Sequence, residues 1–305
     1  MGHSHHGAGG AASLDQLNTA FGVGIALNLA FVAAEAVFGF VGHSLSLLAD
    51  AGHNLSDVFG LALAWVAAWI SRRPPSPRRT YGLGRGTILA SLGNAILLLI
   101  AVGAIAWEAV LRWSEHAAPD GGIMAAVAAV GIVINGGTAM MLLPGGRRDM
   151  NVRAAYLHMA ADTAVSAGVV VAGLVVMWTG WWWVDSATSL AIALAIALSA
   201  GALLKESLNL ALDAVPRAVD RDDVRRFLMQ HPGVASVHDL HIWSLSTTST
   251  ALTAHLVMPE ATLDDEFLHR LSGALHERYG IDHVTVQVER GNAPTACKLS
   301  AAERI

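Results

Sequence analysis

The chain has 305 residues, of which 54% are hydrophobic and only 14% are charged, against about 25% charged in a typical soluble domain. Together with a positive mean hydropathy, this composition excludes an ordinary soluble protein and indicates an integral membrane protein. The net charge of −5 excludes a strongly basic nucleic-acid-binding protein, and the single cysteine, Cys297, excludes a disulfide framework and a zinc site of four cysteines.

The N-terminal segment, residues 1–16, is polar and is predicted to be flexible. It contains His3, His5 and His6, which we interpret either as a cluster that gathers metal ions or as a solvated tail. The basic region that leads into a cleavable signal peptide is missing from it.

Six apolar stretches follow, and each is long enough to cross the hydrocarbon core of a membrane as a helix, which takes about 20 residues. Residues 17–212 are therefore predicted to form a domain of six transmembrane helices. Two stretches hold polar residues far from their ends, namely Glu35 in the first and Asn135 in the fourth. The predicted spans are 17–41, 45–70, 87–113, 121–144, 152–178 and 183–208.

The connections between these spans differ in positive charge. The second and fourth are rich in arginine, whereas the tight turns near Gly42 and Trp181 contain neither lysine nor arginine. Positively charged loops stay in the cytoplasm, so we expect both termini to be cytoplasmic and Trp181–Trp183 to lie at the outer interface. The arginines of the two basic connections are Arg72, Arg73, Arg78, Arg79, Arg85, Arg147, Arg148 and Arg153.

The long apolar stretches end at Leu212, and residues 213–290, which contain many more charged residues, are predicted to form a soluble α+β domain. A polar helix in RDDVRRFLMQ precedes two alternating strands, VASVHDLHIWSL and TSTALTAHLVM, and an amphipathic helix in LDDEFLHRLSGALHERYG precedes the strand HVTVQVE. The order αββαβ predicts a split βαβ sheet of the ferredoxin-like type, with its helices on one face. Residues 291–305 are predicted to be disordered.

Charged residues within two of the predicted spans need a physical explanation. The second span contains His53 and Asp57, and the fifth contains His158 and Asp162. A charged side chain at the centre of a membrane helix costs about 2.5–3.5 kcal/mol to insert, so each needs a compensating partner. In both spans the histidine precedes the aspartate by four residues, which places the two side chains on one face of the helix.

The two pairs predict one metal site if the second and fifth helices pack together. Two imidazole nitrogens and two carboxylate oxygens suit a tetrahedral ion such as Zn²⁺, whereas Mg²⁺ and Ca²⁺ prefer oxygen ligands alone. The alternative is that each pair is a buried hydrogen-bonded couple without a metal ion. Asp50, one turn from His53, is interpreted as a structural or pathway carboxylate, with direct handling of protons or metal as the alternative. Small residues near the pairs would permit close helix packing: Ala49, Ala51, Gly52, Ala160 and Ala161.

Between about Ala20 and Glu289 the sequence resembles the cation diffusion facilitator family, of the cobalt–zinc–cadmium resistance and zinc-transporter type. The resemblance implies a membrane domain of six helices, a cytoplasmic metallochaperone-like domain, a homodimer in the bacterial inner membrane, and efflux of divalent metal ions in exchange for protons. It implies neither an enzyme nor an organic cofactor. The matching stretches are SLSLLADAGHNLSDVFGLALAW, RRTYGLGRGTILASLGNAILLL, NVRAAYLHMAADTAVSAGVVVAG, GWWWVDSATSLAIAL and VHDLHIWSLSTTSTALTAH.

The same resemblance implies which residues bind the metal ion. The membrane transport site corresponds here to His53, Asp57, His158 and Asp162, a set that is similar to the zinc-preferring variant. Whether Co²⁺, Cd²⁺ or Ni²⁺ is also a substrate stays open. The resemblance also implies Zn²⁺ as a structural or regulatory ion in the cytoplasmic domain, bound across its dimer interface. The residues that match its ligands are His238, His255, Asp282 or His283, and Glu289.

Some positions depart from the family pattern or carry other expectations. Gln287 stands where some relatives have histidine, which argues against a full two-metal site. The loop PPSPRRTYGLGRG contains no His, Asp or Glu, so no metal site is expected there. Arg85 and Asp213 are expected to form a charge interlock at the dimer interface. Four further histidines are expected to be ordinary surface or packing residues: His231, His241, His269 and His276.

The function that the sequence predicts is export of Zn²⁺ driven by inward movement of protons through alternating access. Metal ions and protons compete for the same atoms, because a metal ion needs neutral imidazole and ionised carboxylate. The alternatives are a passive zinc channel with the same ligands and a membrane-bound metal sensor. A hydrolase with metal-activated water ranks last, because four protein ligands leave no open position on the ion.

Overall fold

The computed structural model describes residues 29–71, 73–113, 119–142, 150–260 and 265–291. Within these ranges the apolar part of the chain forms six helices, and from the second onwards their ends agree closely with the predicted spans. The start of the first predicted span and the histidines near the N-terminus lie outside the described residues, as does Cys297. The helices α1–α6 are Leu29–Val41, Leu45–Ser71, Gly86–Arg112, Gly121–Leu142, Met150–Thr179 and Trp183–Ala211.

Four of the described helices are long and apolar enough to cross a membrane: α3, α4 as far as Met141, α5 from Tyr156, and α6. Helix α1 is apolar but shorter in its described part, and α2 has 27 residues that include the charged stretch from Asp50 to Asp57. A helix satisfies its backbone hydrogen bonds within one segment, which an apolar span in lipid requires. With the C-terminal α+β fold described below, these helices confirm the predicted fold class.

The chain divides into two compact units. The first comprises the chain up to Phe59 together with Leu97–Ser199, and the second comprises Gly60–Ile96 together with the chain from Ala200 onwards. Helices α2, α3 and α6 contribute residues to both units. The domain limits predicted from the sequence, at residues 16, 212 and 290, stay predictions.

In the first unit, a carboxylate of α6 holds the beginning of α2. Asp185, which is buried, accepts hydrogen bonds from the backbone N–H groups of Leu45 at 2.6 Å and Ser46 at 3.1 Å. Its Oδ1 also accepts from the hydroxyl of Ser44 at 2.8 Å. An anion at a helix N-terminus satisfies unpaired donors and complements the helix dipole. Asp185 therefore fixes the start of the helix that carries His53 and Asp57.

Helices α4 and α5 of the first unit approach each other closely. A Cβ atom added to Gly173 would lie 2.7 Å from the backbone nitrogen of Ala125, and one added to Gly131 would lie 2.9 Å from the hydroxyl of Ser166. Gly173 admits no side chain, because its closest neighbours are backbone atoms, and at Gly131 a side chain would have to displace that of Ser166. Small residues of this kind are the usual basis of tight packing between membrane helices. This packing holds the segment of α5 that carries Asp162.

The second unit contains the α+β domain in the predicted order. Strands β1 and β2 pair antiparallel and β2 and β3 pair parallel, which gives the sheet order β1-β2-β3. One hydrophobic core joins the sheet to Leu228 of α7 and to Leu271 and Leu275 of α8. Both helices therefore pack on the same face of the sheet, as predicted. The elements are α7, Arg221–Met229; β1, Ser236–Ser244; β2, Thr250–Val257; α8, Asp265–Tyr279; and β3, His283–Glu289.

Strand β1 contains an irregularity that matters for the site below. The register with β2 shifts between His238 and His241, and Asp239 has a φ of +51°. Aspartate is one of the few residues other than glycine that adopts this backbone region readily. Such a bulge inserts an unpaired residue and redirects the side chains around it.

Candidate metal centres

The four residues of the predicted membrane site lie together in the first unit. His53 Nε2 is 3.6 Å from Asp57 Oδ2 and 3.5 Å from Asp162 Oδ1. His158 Nε2 is 3.2 Å from Asp57 Oδ2 and 3.7 Å from Asp162 Oδ2. Each imidazole therefore lies near both carboxylates, one on its own helix and one on the other. Helices α2 and α5 thus bring together two His-Asp pairs that lie about a hundred positions apart in the sequence.

These distances can be compared with the needs of a tetrahedral ion. Zn²⁺ lies about 2.0–2.1 Å from imidazole nitrogen and carboxylate oxygen, which sets ligand atoms about 3.3 Å apart at tetrahedral angles. The nitrogen–oxygen distances of 3.2–3.7 Å are close to that spacing. One ligand atom each from Asp57, His158 and Asp162 lie within 4.8 Å of one another. Asp57, His158 and Asp162 therefore suit a single divalent ion, and His53, whose Nε2 lies 3.6 and 3.5 Å from the two carboxylates, is placed to become the fourth ligand with a small adjustment.

The surroundings of the four side chains also favour a bound cation. Asp162 is only 4% exposed, and Asp57 is 29% exposed. Within the described part of the chain, the buried atoms His53 Nδ1 and Asp57 Oδ2 have no hydrogen-bond partner. A buried polar atom without a partner is costly, and a cation held by the Asp57 carboxylate would remove that cost for its oxygen. The arrangement can hold a metal ion or protons, and the two compete for it.

Asp50 is not part of this cluster. Its Oδ2 accepts a hydrogen bond from the hydroxyl of Ser166 at 3.3 Å, and its side chain is fully buried. Glu35 of α1 is likewise fully buried, and its Oε2 accepts from the amide of Asn54 at 3.2 Å. Two more carboxyl groups therefore lie in the same unit as the four predicted ligands, with separate hydrogen bonds.

A second cluster lies on the sheet of the C-terminal domain. His238 of β1 and His255 of β2 are directly opposite each other in the antiparallel pair, and their rings are 5.1 Å apart. Glu289, at the end of β3, has Oε1 at 3.0 Å from His255 Nδ1 and Oε2 at 3.5 Å from His238 Nε2. Cross-strand neighbours on one face of a sheet come this close by geometry. The three side chains are thus placed by strand register.

This cluster also suits a metal ion. His238, His255 and Glu289 each offer a ligand atom within 4.8 Å of the others. The buried His238 Nε2 has no hydrogen-bond partner among the described residues. The donor set of two imidazoles and one carboxylate is one that zinc sites use. The residues present therefore fit the ion that the resemblance implies.

Asp239 lies beside this cluster, although it is not among the predicted ligands. Its Oδ2 is 3.5 Å from His255 Nε2, and its Oδ1 is 3.0 Å from His241 Nε2. Regular strand alternation would turn Asp239 away from His238, and the bulge at this position turns it back. The only sequence feature that points to a role for Asp239 is weak, namely the presence of an aspartate within a predicted strand. His241 is thereby also drawn to the edge of the cluster.

The structure does not bring Asp282 and His283 into this cluster. Asp282 accepts from the backbone N–H of Thr250 at 3.2 Å and lies 3.3 Å from His276 Nδ1. The ring of His283 packs edge-on against Tyr81 at 5.5 Å. Both residues are at the start of β3, whereas Glu289 is at its end, and six residues of strand span about 20 Å. That either one binds metal across a dimer interface stays a prediction.

Arg85 and Asp213, the predicted interlock, contact each other in the second unit of one chain. Arg85 Nη2 donates a hydrogen bond to Asp213 Oδ1, and both side chains are about half exposed, at 51% and 53%. Asp213 has a φ of +61° just after the end of α6. The pair therefore connects the residue before α3 to a residue just after α6.

Comparison with known families and proteins agrees with both parts of the chain. A model described as the cation efflux transmembrane domain matches residues 22–210, and one described as the cation efflux protein cytoplasmic domain matches residues 216–291.

Three relatives are similar along almost the whole chain. The metal cation efflux system protein CzcD of Cupriavidus metallidurans is 39% identical over 94% of this chain and 90% of its own length. The zinc transporter ZitB of Escherichia coli is 36% identical over 95% of this chain and 93% of its own. A protein of Bacillus velezensis named cadmium, cobalt and zinc/H(+)-K(+) antiporter is 32% identical over 95% of this chain and 92% of its own.

Proposed function

This chain belongs to the cation efflux family, and we propose that it exports Zn²⁺ from the cytoplasm in exchange for protons. Family membership makes it a multi-pass membrane transporter of metal cations and not an enzyme. We propose the identity of the ion, the identity of the counter-ion and the residues that bind the ion. The observation that carries it is the convergence of His53, Asp57, His158 and Asp162 at distances of 3.2–3.7 Å.

The choice of Zn²⁺ follows from the ligand atoms. Two nitrogens and two oxygens at near-tetrahedral spacing suit Zn²⁺, which has no preference from d-electrons for another geometry. Mg²⁺ and Ca²⁺ require six or more oxygen ligands, which these four side chains do not supply. Two of the three similar proteins named above carry zinc in their names, and this supports the assignment.

Exchange for protons follows from the chemistry of the same atoms. The ordinary pKa of histidine is about 6.5, so an imidazole facing a slightly acidic exterior gains a proton readily. A protonated imidazole cannot bind metal, and protons entering from outside therefore favour release of the ion there. The relative from Bacillus velezensis is named an antiporter that uses H⁺ and K⁺, which is consistent with this counter-ion.

Orientation and assembly complete the proposal. The basic connections after the second and fourth spans lie in the cytoplasm, as do both termini, because positive loops are retained there. The protein forms a homodimer in the bacterial inner membrane. In the cytoplasmic domain, His238, His255 and Glu289 hold a structural or regulatory Zn²⁺, and Asp239 contributes a further oxygen or orients His255.

The test is zinc transport by purified protein in liposomes, with a pH gradient that is imposed and then collapsed by an ionophore. We expect zinc movement to follow the gradient and to stop in the variants Asp57→Asn and Asp162→Asn. Zinc movement that is unchanged after collapse would indicate a passive channel instead. Zinc tolerance of cells that is unchanged by the two substitutions would indicate a metal sensor.

A further inference from the structure

Two carboxyl groups of the first unit are fully buried and are not part of the proposed metal site. Glu35 of α1 and Asp50 of α2 both have an exposed fraction of 0%. Each uses one oxygen in a hydrogen bond to a neutral side chain: Glu35 Oε2 with Asn54, and Asp50 Oδ2 with Ser166. Neither of these bonds involves one of the four proposed metal ligands.

The other oxygens of the two groups have no donor. Glu35 Oε1 and Asp50 Oδ1 are buried and lack a hydrogen-bond partner among the residues that the structure describes. Asn54, which donates to Glu35, follows Asp50 by four residues in α2, so the Glu35 carboxyl group lies at the face of α2 that carries Asp50, within reach of a hydrogen bond to it. Such a bond exists only when one group carries a proton, since an ionised carboxylate has no hydrogen to donate. One proton between the two oxygens would satisfy both.

Electrostatic repulsion between the two carboxylates favours the state in which the pair holds one proton. Two carboxylates that are held close together in a low-dielectric interior repel each other, and the repulsion is relieved when one of them takes up a proton. A lone ionised carboxylate in an apolar environment is also costly and becomes neutral in practice. Among the residues that the structure describes, the other ionisable groups that act most strongly on the pair are His53 of α2 and Asp162 of α5. Both are proposed metal ligands, so the strongest positive charge near the pair is the transported ion itself.

The pair also lies on a defined side of the metal site. Asp50 precedes His53 by three residues in α2, and Ser166 follows Asp162 by four residues in α5. At a rise of 1.5 Å per residue, these offsets are about 4.5 and 6 Å along the helices. Both point toward the turn between α1 and α2, which is the exterior side in the proposed orientation. A proton from outside therefore meets this pair before it meets the metal ligands.

We propose that Glu35 and Asp50 form a proton-binding site that is separate from the metal site and is coupled to it through charge. The pair takes up a proton as the metal ion leaves and loses it when an ion binds, because a nearby divalent cation favours ionised carboxylates. The coupled step rests on the proton exchange proposed above. The proton is held between Glu35 Oε1 and Asp50 Oδ1, and no other reactant is needed.

Zinc titration of the purified protein in detergent at a series of pH values tests this. The variants Glu35→Gln and Asp50→Asn replace a carboxyl group by a neutral amide of the same shape. We expect both to bind zinc at high pH, and we expect the number of protons released per zinc ion to fall by about one. Glu108→Gln is the matched control, because this glutamate is 46% exposed and pairs with Arg112 on α3.

The outcomes separate this inference from the proposed function. If both amide variants release as many protons per ion as the wild type, the inference is wrong. Infrared difference spectra of the wild type give a second measurement that needs no variant. Zinc should deplete a protonated carboxyl band, and its persistence would also overturn the inference. Wild-type liposomes that move zinc without protons would refute the antiport, whereas the titration in detergent would still report on the pair.

Discussion

His158 Nε2 of helix α5 lies 3.2 Å from Asp57 Oδ2 of helix α2, so an imidazole of one helix meets a carboxylate of the other. The complementary contact, between His53 and Asp162, has a distance of 3.5 Å. The two His-Asp pairs are therefore interleaved rather than side by side. Each predicted ligand has a neighbour on both helices, and any single removal disturbs the whole group.

The first prediction follows from this interleaving. We expect Asp57→Asn and Asp162→Asn each to lower zinc affinity by more than about 100-fold. Loss of a residue that only orients a ligand costs up to about 100-fold, and loss of a ligand itself should cost more. Isothermal titration of the purified protein with zinc measures this. Asp120→Asn is the control, because Asp120 is exposed and only caps α4 through the N–H of Ile123. Near-wild-type affinity of either ligand variant would show that the ion binds elsewhere.

The second prediction concerns selectivity. His53→Asp replaces one nitrogen by oxygen and leaves a site of one imidazole and three carboxylates. We expect the preference for Cd²⁺ over Zn²⁺ to rise on the order of tenfold, which is about 1.4 kcal/mol of differential binding. A carboxylate can bind through two oxygens and so serves a larger ion with more ligands. Competitive uptake of the two ions into liposomes tests this, and an unchanged ratio would contradict a selectivity role for His53.

The third prediction concerns the cluster of His238, His255 and Glu289 in the C-terminal domain. We expect His255→Ala to abolish metal binding there and Asp239→Asn to weaken it by about 10–100-fold, the range typical of partners that orient a ligand. His269→Ala is the matched histidine control, since His269 is exposed on α8. Counting bound zinc by mass spectrometry under native conditions shows which sites are filled. Equal occupancy in Asp239→Asn and the wild type would mean that Asp239 does not help to hold the ion.

The fourth prediction concerns Arg85 and Asp213. We expect Arg85→Asp and Asp213→Arg each to weaken the dimer and the double variant to recover it, with a coupling of about 0.2–1 kcal/mol for so exposed a pair. Light scattering after size-exclusion chromatography follows the dimer fraction. Asp213→Asn should also weaken the dimer, because asparagine tolerates the φ of +61° and the substitution removes only the charge. A double variant that stays as weak as the singles would exclude the interlock.

The fifth prediction is a pH dependence of stability in the C-terminal domain. The hydroxyl of Tyr279 donates to Asp223 at 2.7 Å, and this bond, with one from Arg226, lowers the pKa of the Asp223 carboxyl. A carboxyl whose pKa is lower in the folded state stabilises the fold above its unfolded pKa, about 3.9, and this stability is lost as the pH falls through the folded value.

Tyr279→Phe should therefore lower the melting temperature at pH 7, and the difference from the wild type should shrink as the solution becomes strongly acidic. Scanning calorimetry of the purified protein follows the transition. Tyr81→Phe is the control, because Tyr81 contacts His283 through its ring. A difference of the same size at both pH values would show that the carboxyl group of Asp223 is not involved.

Much of the molecule is readable from local pattern alone. Apolar length predicts α2–α6 with nearly correct ends, and alternation with turn residues predicts β1–β3. The spacing of four residues places His53 with Asp57, and His158 with Asp162, because a helix turns once in 3.6 residues. These features depend only on residues that are close together in the sequence, so they can be predicted without knowledge of the fold.

Contacts between distant segments depend on the tertiary structure. Glu35 and Asp50 are both visible as isolated charges in apolar runs, but only the contact of α1 with α2, where Asn54 donates to Glu35, brings their carboxyl groups near each other. The bulge at Asp239 overrides the alternation that would point this residue away from His255. Periodicity determines which face of an element a side chain occupies, whereas packing and backbone irregularity determine which faces meet. For this protein the sequence therefore predicts four membrane ligands, and the folded chain decides which other acids lie beside them.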